Sequence, residues 1–227
     1  MKISEKLWTK FYIDKSQKNY PLWPIEAMVK VIFGDYLVGK KPTLGKGVKV
    51  LDVGCGFGNN LIPFLMVECE CSGVEITNEM VLLSQQNLSD RGFKKVKIKK
   101  GNNRSLPYTS DSFDLLISNN VIHYENSEKN YLEALKEYKR VLKPGGALYL
   151  TTVGSKHDIY KNAKVEDAHS FKIKNWDFRD GETYFYVSNQ KYLKYYLKKY
   201  FEGIETGRVT EKLMTTNLDF FIAFCRK

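Results

Sequence analysis

The sequence predicts an α/β domain built on a parallel sheet with crossover helices, and three observations predict it. Between residues 47 and 153, short β-type runs alternate with amphipathic stretches of helical length. One of those runs, Phe113-Asp114-Leu115-Leu116-Ile117-Ser118, is hydrophobic through its centre, as a strand covered on both faces must be. A turn with three alternate glycines, Gly54-Cys55-Gly56-Phe57-Gly58, follows the first run and precedes a helical stretch.

The elements follow in order. Residues 25–38 form an amphipathic helix, preceded by the aromatic, Pro-bracketed stretch Tyr20-Pro21-Leu22-Trp23-Pro24. The first strand covers 47–53, with Val48, Val50, Leu51 and Val53, and a helix covers 59–68, where Pro63 is tolerated only in the first turn. A second strand covers 70–76. Thr77 or Asn78 caps a helix to about residue 91, stopped by Gly92, and a third strand covers 96–100. After the fourth strand at 113–118, Ser127 caps a long helix to 142, which the breaker Lys143-Pro144-Gly145-Gly146 ends before a fifth strand at 147–153. The polar, weakly periodic residues 154–179 read as an irregular insertion. Residues 183–187 are β-like, Ser188 caps a helix to about 201, and two late strands cover about 203–209 and 219–224.

Composition limits the reading further. A chain of 227 residues with 43% hydrophobic residues buries one substantial core. No window approaches the roughly 18–20 apolar residues of a membrane span, and the first residues carry no signal-like apolar core, so a cytoplasmic protein without integral membrane association is expected. Four cysteines (Cys55, Cys69, Cys71, Cys225) without a CxxC pair point to reduced thiols. Cys69 and Cys71 share one face of their strand and read as buried thiols; no metal site is expected. The net charge of +10 is uneven: residues 1–49 hold ten Lys against four acids, 50–154 are balanced at twelve each, and 155–227 hold fourteen basic against ten acidic residues. The excess suits an anionic partner or a Lys-rich solvated surface equally well.

The glycine turn carries the functional argument, since it lets a ligand approach the backbone while the following helix offers free amide donors. A dinucleotide site would want GxGxxG, but the residue three beyond Gly56 is Asn59. Val50-Leu51-Asp52-Val53-Gly54-Cys55-Gly56-Phe57-Gly58 instead resembles motif I of the class I S-adenosylmethionine-dependent methyltransferases. Glu75, 19 residues beyond Gly56, stands where a carboxylate takes two ribose hydroxyls. Gly101-Asn102-Asn103-Arg104-Ser105-Leu106-Pro107-Tyr108 with Asp111-Ser112-Phe113-Asp114 resembles the family's "GDAxxLPF...FD" stretch, departing from it with Asn102 in place of Asp. Leu135 to Gly146 resembles the helix and turn before the family's fifth strand.

The resemblance implies a Rossmann-like three-layer α/β sandwich with a mostly parallel seven-stranded sheet and an antiparallel C-terminal strand. It divides one methyltransferase domain, 1–227, into a helical cap (1–45), a cofactor-binding core (46–153), an acceptor-site insertion or lid (154–190) and a C-terminal helix with strands (191–227). It implies S-adenosyl-L-methionine as cofactor and S-adenosyl-L-homocysteine as product. Asp52 would support the loop, Gly54, Cys55 and Gly56 would face the methionine half, and Glu75 would hold the ribose. Ile76, Asn102 and Asn103 would meet the adenine, and Asn119 would sit near the sulfonium. His123, just past the fourth strand, is the candidate general base or a packing residue. Tyr12, Tyr20, Trp23, His157, His169 and Trp176 are candidate acceptor contacts.

Ser118-Asn119-Asn120-Val121 is neither NPPY nor DPPY, and no Pro-Cys or Thr-Cys pair supplies a cytosine C5 nucleophile. Aromatic residues and lysines outside the core suit a small-molecule acceptor, anionic or carbohydrate, and the first reading is O-methylation of a carbohydrate, nucleotide-linked sugar or phosphorylated metabolite. A tRNA or rRNA methyltransferase and a non-catalytic cofactor-binding subunit are the alternatives. A monomer or homodimer is expected.

Overall fold

The computed structural model describes residues 3–16 and 22–227. Tyr20 lies outside them. The chain opens with α1 (Ile3–Ser16) and α2 (Glu26–Phe33), then runs β1 (Lys49–Val53), α3 (Ile62–Met66), β2 (Glu70–Glu75), α4 (Asn78–Asp90), β3 (Lys97–Lys100) and β4 (Phe113–Ser118). It continues with α5 (Glu128–Val141), β5 (Leu142–Val153), the short strands β6 (Lys164–Val165), β7 (Ser170–Lys172) and β8 (Thr183–Phe185), α6 (Gln190–Leu197), and the long hairpin β9 (Glu202–Leu213) and β10 (Thr216–Arg226).

Seven strands form one sheet in the order β3-β2-β1-β4-β5-β10-β9. The pairs from β3 to β5 are parallel, and β10 is antiparallel to both β5 and β9. The period-2 alternation of strand side chains sends Leu51, Val53, Leu116 and Leu148 to one face and Val50, Leu115, Ile117 and Tyr149 to the other. On the first face α5 packs Tyr131, Leu135 and Tyr138, all wholly buried at helical spacing, beside Leu193 and Leu197 of α6. On the second, Met28 and Ile32 of α2, Phe64 of α3 and Leu88 of α4 complete the sandwich. Burial of each such side chain stabilises the fold by roughly 1.5–3 kcal/mol. Among the described residues, no helix is long and apolar enough to cross a membrane.

Local chemistry explains where the elements begin and end. The Thr77 hydroxyl accepts from the Met80 amide (3.2 Å) and Ser127 from the Asn130 amide (3.3 Å), so both expected caps form. Pro63 lies in the first turn of α3, after a 3-10 turn at Asn59–Leu61. The helix read at 25–38 stops at Phe33. Asn189 caps α6 through the Tyr192 amide (3.1 Å) in place of Ser188, and the α-helix ends at Leu197. β5 starts at Leu142, since Phe113 pairs with Leu142 and a register shift takes up the Pro-Gly-Gly turn before Ala147 meets Leu115. The stretch read as irregular supplies β6 and β7, which pair with β8, the β-like run expected at 183–187, in a three-stranded antiparallel sheet; Ile173, just past β7, and Tyr184 of β8 are fully buried. α1 falls within the helical cap expected at 1–45, although the sequence pattern marks only the helix at 25–38 there, and β9 and β10 extend well beyond the late strands predicted.

Candidate active site

Strand order reverses between β1 and β4, which opens a crevice at their carboxyl ends. A cleft of about 1720 Å³ occupies it, walled by the glycine turn, the ends of β2 and β4, α1, and the insertion. Asp52 lies between Gly73 of β2 and Ile117 of β4 and is almost wholly buried. Neither of its carboxylate oxygens has a partner among the described residues. Burial, reinforced by the charge of Glu75, holds its carboxyl well above the usual carboxylate range.

Glu75 closes β2. Its Oε1 accepts from the Gly56 amide (2.6 Å) and its Oε2 from the Ile76 amide (3.1 Å). Burial nevertheless raises the carboxyl to about 7, with the two amide donors acting in the opposite direction. Ile76, 40% exposed, presents an apolar surface beside it. Two buried carboxylates at one glycine turn make a pocket that favours a cationic, hydroxyl-bearing ligand.

Gly56 has φ +58°, and a Cβ there would stand 3.2–3.3 Å from the Tyr12 ring and hydroxyl. Tyr12 of α1 therefore roofs the turn, with Phe57 at 5.0 Å and Trp8 stacked at 5.7 Å between ring centroids. A Cβ on Gly54 (φ +68°) would overlap the Val121 side chain at 2.6 Å, so the absence of a side chain there lets the end of β4 seat against the turn. Cys55 is buried, its thiol pushed up chiefly by burial, and its amide donates to the Val74 carbonyl (3.2 Å).

The adenine-side candidates behave differently from one another. The Asn102 side chain is exposed, and its Oδ1 accepts from the Arg104 amide (3.0 Å). Asn103 is buried, donating to Glu125 (3.1 Å) and accepting from the Tyr138 hydroxyl (2.7 Å). Its side chain thus belongs to a network running from Ser118 through Tyr138 to Glu125 and Arg104. Asn119 and Asn120 lie just after β4, where the Thr151 hydroxyl is 2.7 Å from Asn120 Oδ1 and 3.2 Å from Asn119 Oδ1. Asn120 is left-handed (φ +57°), a conformation Asn tolerates, and the Asn-Asn pair directly after a strand was its sequence signal.

His123 sits in a 3-10 turn, 2% exposed, its ring 4.6 Å from Tyr124 and 4.7 Å from Tyr184. Its Nδ1 has no partner among the described residues. Burial and then Arg179 push its pKa well below the usual histidine value, so the ring is a neutral acceptor at physiological pH. Tyr184 donates to the Tyr124 hydroxyl (2.8 Å), which also accepts from Arg179 Nε (3.3 Å), and the guanidinium lies 5.7 Å above Trp8. Tyr124, Arg179 and Tyr184 escaped the sequence reading because a short turn and the insertion carry them, without periodicity or motif.

His157, lowered to about 4 chiefly by burial, accepts from the Ile159 amide through Nδ1 (3.0 Å) and so caps its own turn. Its ring lies edge-on to Trp176 at 5.6 Å, and both line the cleft. Trp23, 77% exposed, stands at the mouth. His169 is not brought to the cleft: it stacks on Phe185 (5.6 Å) beside Tyr192 and Tyr196 of α6.

A parallel sheet with an antiparallel β10, a GxGxG turn after β1 and a carboxylate ending β2 define the Rossmann-like, S-adenosylmethionine-dependent class. Residues 44–200 match the methyltransferase-domain family, and the chain belongs to it. The uncharacterized methyltransferase YcgJ of Bacillus subtilis is 33% identical over 102 residues, 45% of this chain and 39% of that protein. A demethylmenaquinone methyltransferase of the same species is 32% identical over 104 residues, 44% of this chain and 43% of that protein. The match thus spans about two fifths of the length of these curated relatives. A SAM-dependent methyltransferase from Methanosarcina mazei shares the fold with a TM-score of 0.71 at 21% identity, over 90% of this chain and 98% of that one.

Proposed function

We propose that this chain methylates a hydroxyl of an uncharged small molecule, with α1 and the 154–190 insertion covering the acceptor. The observation that carries the reading is the unpartnered, buried Asp52 carboxylate beside Glu75 at an open glycine turn. When bound, S-adenosylmethionine supplies a methyl group activated on a sulfonium. The positive charge of the bound sulfonium favours the ionised forms of Asp52 and Glu75, which offset it, and Glu75 accepts from ribose hydroxyls. Backbone groups of Gly54, Cys55 and Gly56 leave room for the methionine half, Ile76 flanks the adenine, and Asn102 and Asn119 border the two ends. Tyr12 and α1 exclude water from the turn. Alignment and desolvation are the main contributions a protein makes to such an in-line displacement.

His123, neutral and with an Nδ1 that has no partner among the described residues, takes the acceptor's hydroxyl proton on the unprotonated nitrogen of its ring. The charge of the cleft supports an uncharged acceptor: although the whole chain is +10, the residues lining the cleft include six Lys or Arg against seven Glu. Aromatic walls from Trp8, Tyr124, Trp176 and Tyr184 suit a flat ring or sugar face better than a phosphate or RNA backbone.

The test is transfer of labelled methyl from S-adenosylmethionine to a panel of phenols, free sugars, nucleotide sugars, phosphorylated metabolites and tRNA. An uncharged hydroxyl compound is expected to be methylated best. His123→Ala should then lower turnover by roughly 10²–10⁴ with S-adenosylhomocysteine affinity unchanged. Full turnover in that variant would remove the base role, and preferential methylation of phosphorylated compounds or tRNA would overturn the acceptor class.

A further inference from the structure

Ligand pockets commonly occupy about 300–1,000 Å³. The cleft, at about 1720 Å³, is larger, and its lining extends along the sheet away from the glycine turn. Three strands line that arm with one face. Tyr149, Thr151 and Val153 alternate along β5, and Leu218, Phe220 and Ile222 alternate along β10. The register sets them in rows across the sheet. Val153 lies opposite Phe220, which lies opposite Val209 of β9, while Thr151 lies opposite Ile222, which lies opposite Gly207. Ala27 and Val31, one turn apart on α2, form the facing wall.

Gly207 is the informative residue. Its φ lies outside the left-handed region, so its backbone does not require glycine, and a Cβ built on it would meet only Ile222 Cβ at 3.9 Å. A glycine inside a strand at such a position marks a place where something approaches the sheet closely. The trough floor is therefore lowest on the edge strand, at the outer end of the row of Thr151, Ile222 and Gly207. Its inner end at Thr151 adjoins Asn119 and Asn120, at the end of β4 where the acceptor is to be aligned.

We infer that the trough between α2 and the β5-β10-β9 face binds an apolar extension of the acceptor, an alkyl or isoprenoid-like chain attached to the hydroxyl-bearing ring. The inference rests on the methyl-transfer reading for the orientation of the acceptor, while the trough itself stands on the sheet geometry. Continuity with the methyl-transfer site makes the occupant a part of the acceptor. The chain runs from Thr151 over Ile222 and out across Gly207, beside the row of Phe220 and Val209, with its head group directed to His123.

The experiment uses the full chain and 4-alkylphenols from methyl to octyl. Their binding is read by displacement of the neutral fluorophore N-phenyl-1-naphthylamine, and S-adenosylhomocysteine affinity is measured in parallel by calorimetry. Affinity should rise with each added methylene, approaching about fourfold per methylene where burial is complete. Gly207→Leu fills the floor without backbone strain and should abolish most of that gain, leaving S-adenosylhomocysteine affinity unchanged. Val209→Asp, on the edge strand, should flatten the series in the same way. A wild-type series that is flat with chain length, or a Gly207→Leu series as steep as wild type, would overturn the proposal. Absence of S-adenosylhomocysteine binding by the folded protein would instead remove the methyl-donor reading, and the alkyl series would still decide the trough.

Discussion

Glu75→Gln tests the electrostatics of the cofactor pocket on two axes. The wild-type carboxylate accepts from the Gly56 and Ile76 amides, and in the proposed complex it also accepts from two ribose hydroxyls. Glutamine keeps one acceptor oxygen and turns an NH2 toward backbone donors. Loss of charge-assisted hydrogen bonds should weaken S-adenosylhomocysteine binding by roughly 2–4 kcal/mol, or about 30- to 1,000-fold. The pH dependence follows from the same group. Burial raises Glu75 from its ordinary 4.5 to about 7, so the protonated form predominates below that pH in the free protein. If binding requires the ionised form, affinity at pH 6 should be about tenfold lower than at pH 8. Stability runs the other way: a raised carboxyl contributes stability below 4.5 that is lost as pH rises through about 7. Between pH 6 and 8 that loss is on the order of 1 kcal/mol, or a few degrees in Tm. Asp52 is shifted in the same direction, chiefly by burial. Calorimetry and thermal melts at pH 6, 7 and 8 read both effects. Glu75→Gln should show weak binding with a reduced pH slope; a variant that binds as wild type with the same slope would refute the assignment of Glu75.

Gly56→Val places a β-branched side chain at φ +58° within van der Waals contact of Tyr12. It should abolish cofactor binding by calorimetry while the far-ultraviolet circular dichroism stays native, and retained micromolar affinity would move the ligand off this turn. Leu135→Ala removes a wholly buried α5 side chain far from the cleft and should cost about 2–5 kcal/mol, roughly 5–15 °C in a thermal melt. A smaller shift than that would mean that the α5 face relaxes around the cavity.

The central strands were legible because each is apolar on both faces, and the helix starts because Thr77 and Ser127 are strong caps. α1 was not legible: it packs through Trp8, Thr9 and Tyr12 onto the site itself, with no apolar stripe to reveal a helix. β9 was cut short because its outer half is an exposed, charged edge strand with little apolar alternation. The glycine turn, Asp52 and Glu75 could be read as a pocket because local spacing places them together. The hydrogen bonds that hold the Asn103 amide were not legible, because Tyr138 and Glu125 are distant from it in sequence. The same limit separates His157 and Trp176, which reach the cleft, from His169, which α6 takes away from it.

Titration of folded, cofactor-free protein with S-adenosylmethionine and S-adenosylhomocysteine tests the central claim most directly. The account predicts one site of micromolar affinity for each, lost in Gly56→Val and strongly weakened in Glu75→Gln. No detectable binding to the folded wild-type protein would contradict it, whatever acceptors were later tried.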